Sequence, residues 1–137
     1  MSYVISESCR NVGRLMETPV SIKDNFNDYI QLGKIFGVET RAVQLVEAQK
    51  ARLNAVKSQL TSTSERPGVF VYDMISQGPF TTGRDSLMTE LIALGGGINI
   101  FADLPVRWMH TNWEDVIDRN PEWIVIVADD PEHTEEK

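Results

Sequence analysis

The chain has one cysteine, Cys9, so no disulfide within it is possible. Cys9 also lacks a helical or basic setting that would activate its thiol. Basic residues are in deficit. Thirteen Lys and Arg against twenty Asp and Glu leave a formal charge of −7, which argues against a nucleic-acid partner, because phosphate binding needs clustered cations. Long apolar runs are missing too. Tyr3-Val4-Ile5 is far too short for a signal core or a membrane span, and read literally that implies a soluble, cytoplasmic chain. Catalytic signatures are equally scarce. There is no Gly-x-Ser-x-Gly, no phosphate loop and no Gly-x-Gly-x-x-Gly. Gly95-Gly96-Gly97 follows a helix and precedes a strand, the wrong order for a phosphate cradle and the right one for a tight turn. His110 and His133 stand alone, without a second ligand at metal spacing. No repeat or low-complexity tract is present.

At 137 residues the chain is enough for one modest core. Its organising stretch is Trp108–Asp129. Trp108–Thr111 reads as an irregular polar-aromatic loop. Asn112 can cap a short helix with Glu114 and Asp115 in its first turn, and Pro121 stops it. Trp123–Ala128 is an apolar, β-branched run that predicts a strand buried on both faces. Upstream, Ser21 with Asp24 forms a capping pair, and Ile22, Phe26, Tyr29, Ile30 and Phe36 recur at helical spacing up to Gly37. Thr40 can cap a long helix to about Ser62, which a polar run closed by Pro67 follows. Val69–Tyr72 predicts a buried strand, Asp73–Arg84 a long loop, Asp85 or Ser86 a helix cap, and Gly97–Phe101 a second strand. The alternation β–loop–α–β–loop–α–β implies a parallel sheet. The Tyr3–Ser6 run is an edge strand or the stub of one.

Two loops remain as functional candidates. One carries Asp73, Phe80, Thr82 and Arg84; the other carries Arg107, Trp108, Met109 and His110. Both leave the carboxyl ends of neighbouring strands, where open α/β sheets bind ligands, so they should meet. One reading makes Phe80 and Trp108 lids on the local core and Arg84 a surface cation. The other makes the loops a shallow aromatic and cationic wall for a large anionic or flat ligand. No acid–base pair accompanies them, so binding is expected rather than catalysis.

Four segments together resemble a known family: Asn27–Val38, Phe80–Arg84 with Leu87, Glu90–Asp103, and Trp113–Val116 with Asn120–Ile126. In this order and spacing they are similar to the periplasmic substrate-binding proteins of ABC importers for iron–siderophore, haem and cobalamin, the class whose two lobes are joined by one long helix. The resemblance implies an α/β fold with the long helix packed on a small parallel sheet and flanking helices. It implies residues 1–20 as the remnant of an N-terminal lobe, 21–64 as connecting helices and 65–137 as an incomplete C-terminal lobe. It further implies a non-enzymatic solute-binding role, a membrane permease as partner, and an extracytoplasmic lipoprotein location for a longer form. The ligand would be a metal chelate carrying its own iron or cobalt, with no separate cofactor. Trp108, Arg84, Phe80, Thr82 and Arg107 would contact it, and Glu114 would dock the permease. A chain lacking its partner lobe is expected to self-associate through exposed apolar area and an unpaired edge. The alternative is a small stand-alone α/β protein of flavodoxin-like shape.

Overall fold

The computed structural model describes residues 19–60, 65–75 and 78–127; Cys9, His133 and the Tyr3–Ser6 run lie outside these. The element order is α1 (Ile22–Ile35), α2 (Glu39–Gln59), β1 (Gly68–Ile75), β2 (Gly78–Thr82), α3 (Leu87–Leu94), β3 (Ile98–Asn99), β4 (Trp108–His110), α4 (Trp113–Arg119) and β5 (Trp123–Val127).

Local signals set the helix starts. The Ser21 side chain accepts from the Asp24 N–H while the Asp24 carboxylate accepts from the Ser21 N–H, a reciprocal cap. Ser86 Oγ accepts from the Met88 N–H, and Asn112 Oδ1 from the Asp115 N–H at 2.8 Å. Helix α1 ends on Gly37 at φ +68, with Val38 N–H donating to Gly33 O and Gly37 N–H to Lys34 O. That closure starts α2 at once. Its N-cap is therefore Val38, with no side-chain cap, and Thr40 lies inside the helix instead of capping it.

Helix α2 is about 30 Å long at 1.5 Å per residue. Its principal contacts are with helices. It packs against α1 and touches α3, and only Ala42 and Val46 are buried. At its start Ala42 meets Gly33 of α1; at its end the Leu60 side chain covers Gly96. Helix α1 is tied to α3 in turn. The Ile22 N–H donates to Glu90 Oε2 at 2.7 Å, and Val20 N–H to Asp85 O at 3.0 Å.

The class is α/β, as expected, and the sheet is mixed. β1 pairs in parallel with β3 and β5, and antiparallel with β2, which pairs antiparallel with β4. Val69 pairs with both Asn99 and Trp123, and Asp73 with both Phe80 and Val127. A strand has two edges, so β3 and β2 share one edge of β1 and β5 takes the other. The antiparallel part thus extends from the carboxyl end of the parallel strands. It is built from Gly78–Thr82 and Trp108–His110, stretches expected to be loop.

The core lies on one face of β1. Phe70, Phe101 and Val116 are buried together, with Tyr72, Ile100, Leu104 and Met109 packed around them. Trp113 of α4 sits edge-on to Phe70 at 6.2 Å and tilted to Tyr72 at 5.3 Å. Helix α3 covers the other face, where Ile92 and Val69 converge on Gly97. Helix α4 is short and aims only Val116 and part of Trp113 inward, leaving Ile117 71% exposed. One expectation fails here. The β5 run is not buried on both faces: Trp123 is 66% exposed and Ile124, Val125 and Ile126 are exposed too. Its composition suits an interior strand, but among the described residues nothing covers its faces.

Helix α4 is held by Arg119. The guanidinium donates to Asp103 through Nη1 at 2.6 Å and Nη2 at 3.0 Å, donates to Ile100 O, and lies 4.5 Å from the centre of the Phe101 ring. Its hydrogen bonds hold the Asp103 carboxyl below the ordinary value of 3.8. A carboxylate lowered on folding adds stability above its unfolded pKa and loses it as pH falls through the folded one. Asp103 is exposed, so the effect is small and screened by salt. In low-salt urea titrations, the gap between the unaltered chain and Asp103→Asn is expected to hold at neutral pH and to close as pH falls below the ordinary carboxylate range. A gap that persists in acid would exclude the charge pair as its source.

Candidate functional site

The two loops singled out by sequence do meet. Three successive N–H groups of one turn donate into the other loop: Gly83 to Arg107 O at 3.2 Å, Arg84 to Leu104 O at 2.8 Å, and Asp85 to Val106 O at 3.1 Å. The strands beneath continue the join, with Thr82 opposite Trp108, Thr81 opposite Met109 and Phe80 opposite His110. Gly83 permits the approach. A Cβ there would stand 2.6 Å from Val106 O and 2.7 Å from Leu104 O.

Register sorts the side chains. Paired residues share a face, and alternate residues of a strand change face. Met109 belongs to the Phe70 cluster on the α4 side, so Trp108, His110, Phe80 and Thr82 lie on the other. There the Phe80 and Trp108 rings stack, with centroids 5.3 Å apart and planes at 8°. The His110 imidazole tilts against Phe80 at 4.9 Å. Phe80 and Trp108 are half-buried and His110 is exposed. The result is a flat aromatic step with an imidazole at its rim. Arg84, exposed, stands on the turn that follows β2 and makes a 3.3 Å ion pair with Asp85.

Two predicted site residues stand elsewhere. Thr82 is fully buried and its hydroxyl accepts from Asn99. Arg107 is 1% exposed. Both carry polar groups, which suggested a surface, yet both are buried. Glu114 is exposed on the first turn of α4 and has no partner among the described residues.

Sequence reasoning placed His110 in the second candidate loop but gave it no contact; its two-residue spacing from Trp108 puts both on one face of a strand. One participant was missed. Asn99 was passed over, although an amide between Ile98 and Ile100 in an apolar stretch needs internal partners. It has them: Nδ2 donates to Thr82 O at 2.8 Å, Thr82 Oγ1 at 3.2 Å and Thr89 Oγ1 at 2.6 Å.

Comparison with known proteins bears on the family of the chain. The profile of a family described as periplasmic binding protein matches residues 12–136. The chain is 34% identical over 77 residues to a vitamin B12-binding protein of Photorhabdus laumondii, covering 56% of this chain and 27% of that protein. A solved periplasmic binding protein from Veillonella parvula superposes with a TM-score of 0.70 at 34% identity, over 79% of this chain and 36% of that one. The fold also matches an ABC-type Fe3+-hydroxamate transport protein from Saccharomonospora viridis, with a TM-score of 0.75 over 95% of this chain and 44% of that one, at 24% identity. The chain thus spans from about a quarter to somewhat under half of the length of these proteins.

Proposed function

Because the chain belongs to the periplasmic binding protein family, we propose that it builds one wall of the ligand cleft of an ABC-importer solute-binding protein, working outside the cytoplasm. The ligand is a metal chelate of the iron–siderophore, haem or corrinoid class, handed on to a membrane permease. The observation that carries this reading is the stacked, half-buried Phe80–Trp108 pair with the exposed His110 ring beside it. A flat apolar step of that kind suits a large planar or macrocyclic ligand. Arg84 on the adjoining turn suits the carboxylates or other anionic groups such ligands carry. Relatives named for vitamin B12 support the class. Family membership favours this reading over a stand-alone flavodoxin-like protein.

In the same reading Glu114 docks the permease. It is exposed and lies outside the aromatic step, so it is free to meet a cationic partner. A first-turn acid that only complements the helix dipole would look the same and would contribute a few tenths of a kcal/mol; uptake measurements separate the two.

The test is a tryptophan-fluorescence titration with hemin, cyanocobalamin and a ferric hydroxamate. One of the three is expected to bind saturably. Trp108→Ala is expected to weaken it by roughly 1–3 kcal/mol, the range for losing a buried contact residue. Glu114→Arg should leave that affinity unchanged and lower uptake. No saturable binding of any probe, or an unchanged dissociation constant for Trp108→Ala, refutes the wall.

A further inference from the structure

We infer that Asn99 is the positioning residue of the aromatic wall, fixing the turn after β2 and the loop before β4 against one another from inside the fold. This rests on the proposed ligand role for its consequence, though not for its geometry. Asn99 is 3% exposed and touches none of the surface that a ligand would meet. Its two ends act on different loops. On the amide nitrogen side it donates to the carbonyl and hydroxyl of Thr82 and to the hydroxyl of Thr89. Thr89 Oγ1 passes its own proton onward to Gly83 O at 2.7 Å. Both carbonyls that flank the Thr82–Gly83 link are therefore held, directly or through Thr89, by one side chain.

On the oxygen side, Oδ1 accepts from the Phe101 N–H at 3.0 Å, and the Asn99 carbonyl accepts from the Ala102 N–H at 3.0 Å. Those bonds end β3 and turn the chain into the loop that reaches Arg107 and Trp108. The carboxamide is the one side chain of this size that can donate on one side and accept on the other without charge. Aspartate keeps the shape and the acceptor but sets a carboxylate oxygen against Thr82 O, repelling the carbonyl it should hold. Trp108 and Phe80 meet across the very strand pair that these loops close, so a shift there reaches the ring stack.

The inference predicts a selective effect. The chain has three tryptophans: Trp108 in the wall, Trp113 on the α4 face and Trp123 in β5. The full chain labelled with 5-fluorotryptophan gives one fluorine resonance for each, and Trp108→Phe assigns the first. In Asn99→Asp at pH 8 the Trp108 resonance is expected to move by more than its linewidth while the other two stay. Position 99 is 3% exposed, and burial disfavours a carboxylate there, so lowering the pH toward 5 is expected to return the resonance toward its original position as the carboxyl protonates and regains an O–H donor. With whichever of hemin, cyanocobalamin and ferric hydroxamate binds, affinity at pH 8 is expected to fall about tenfold, the loss typical when a supporting partner of a binding group is removed.

A Trp108 resonance that does not move, or three resonances that move together, overturns the inference, because a purely structural role has no reason to single out the wall. Should Asn99→Asp not fold, Thr89→Val removes the same relay more gently. It is expected to move Trp108 alone, and an unmoved resonance there is equally decisive. If no probe binds the unaltered protein, the ligand reading fails while the fluorine spectra still decide the role of Asn99.

Discussion

Gly83→Ala is expected to separate the two loops of the wall and to destabilise the protein by roughly 3 kcal/mol, the upper end for overpacking. The new methyl would meet Val106 O at 2.6 Å and Leu104 O at 2.7 Å. Both are backbone atoms of a loop pinned by the N–H groups of Gly83, Arg84 and Asp85, so neither can yield without breaking the bonds that define the join. Each such bond contributes about 1 kcal/mol net. Gly97→Ala gives the contrast. Its methyl would meet Val69 Cγ2 at 2.8 Å and Ile92 Cγ2 at 3.0 Å, which are side-chain ends. Rotamer adjustment limits that cost to about 1 kcal/mol. Urea unfolding of both variants, with hydrogen exchange at Arg84 and Asp85, checks the order. Equal costs, or unchanged exchange in Gly83→Ala, would mean that the loops are not held by this contact.

Gly33→Val is expected to cost about 3 kcal/mol as well, by a different route. An added Cβ on Gly33 would lie 2.4 Å from Ala42 Cβ and 3.2 Å from Glu39 Cα. The obstacle is the first turn of α2 itself, held close because the α1 closure leaves only Phe36, Gly37 and Val38 between the helices. Gly33→Ala tests the mechanism more finely. In an exposed helix it would gain about 1 kcal/mol from propensity; here the clash should reverse the sign. Ala42→Gly opens the same space from the other side, so the double variant should be less damaged than the two single costs added together. Additive costs would show that the two positions do not share the contact.

How much of this was legible beforehand follows from the range of the forces involved. The caps at Ser21, Ser86 and Asn112 and the glycine closure at Gly37 are interactions within four or five residues, so the sequence displays them whole. The meeting of the two loops was also legible, since strand order puts both at one edge. The strands β2 and β4 were not. Gly-Pro-Phe-Thr-Thr and Trp-Met-His carry no apolar alternation of their own and are strands only because each supplies the other's backbone partners. Thr82 and Arg107 were misplaced for a related reason. Polarity marks a residue as exposed only when it lacks an internal partner, and Thr82 has Asn99. The apolar run of β5 was read correctly as a strand and wrongly as interior, because composition records what a strand is suited to, and exposure depends on what lies over it.

The forked edge of β1 has a consequence for the order in which the fold assembles. Its antiparallel partner follows almost at once, with Ile75 opposite Gly78, whereas its parallel partner on the other side is 54 residues away, Val69 opposite Trp123. Closing the longer loop costs roughly 2–3 kcal/mol more chain entropy by the logarithmic dependence on length. Hairpins form in microseconds, while distant parallel pairing waits for the intervening chain to order. The β1–β2 arm that carries Phe80 thus has a route to structure that does not depend on β5. The aromatic step is completed later, when Trp108 arrives on β4, and of the strand pairings β1–β5 has the longest chain to order.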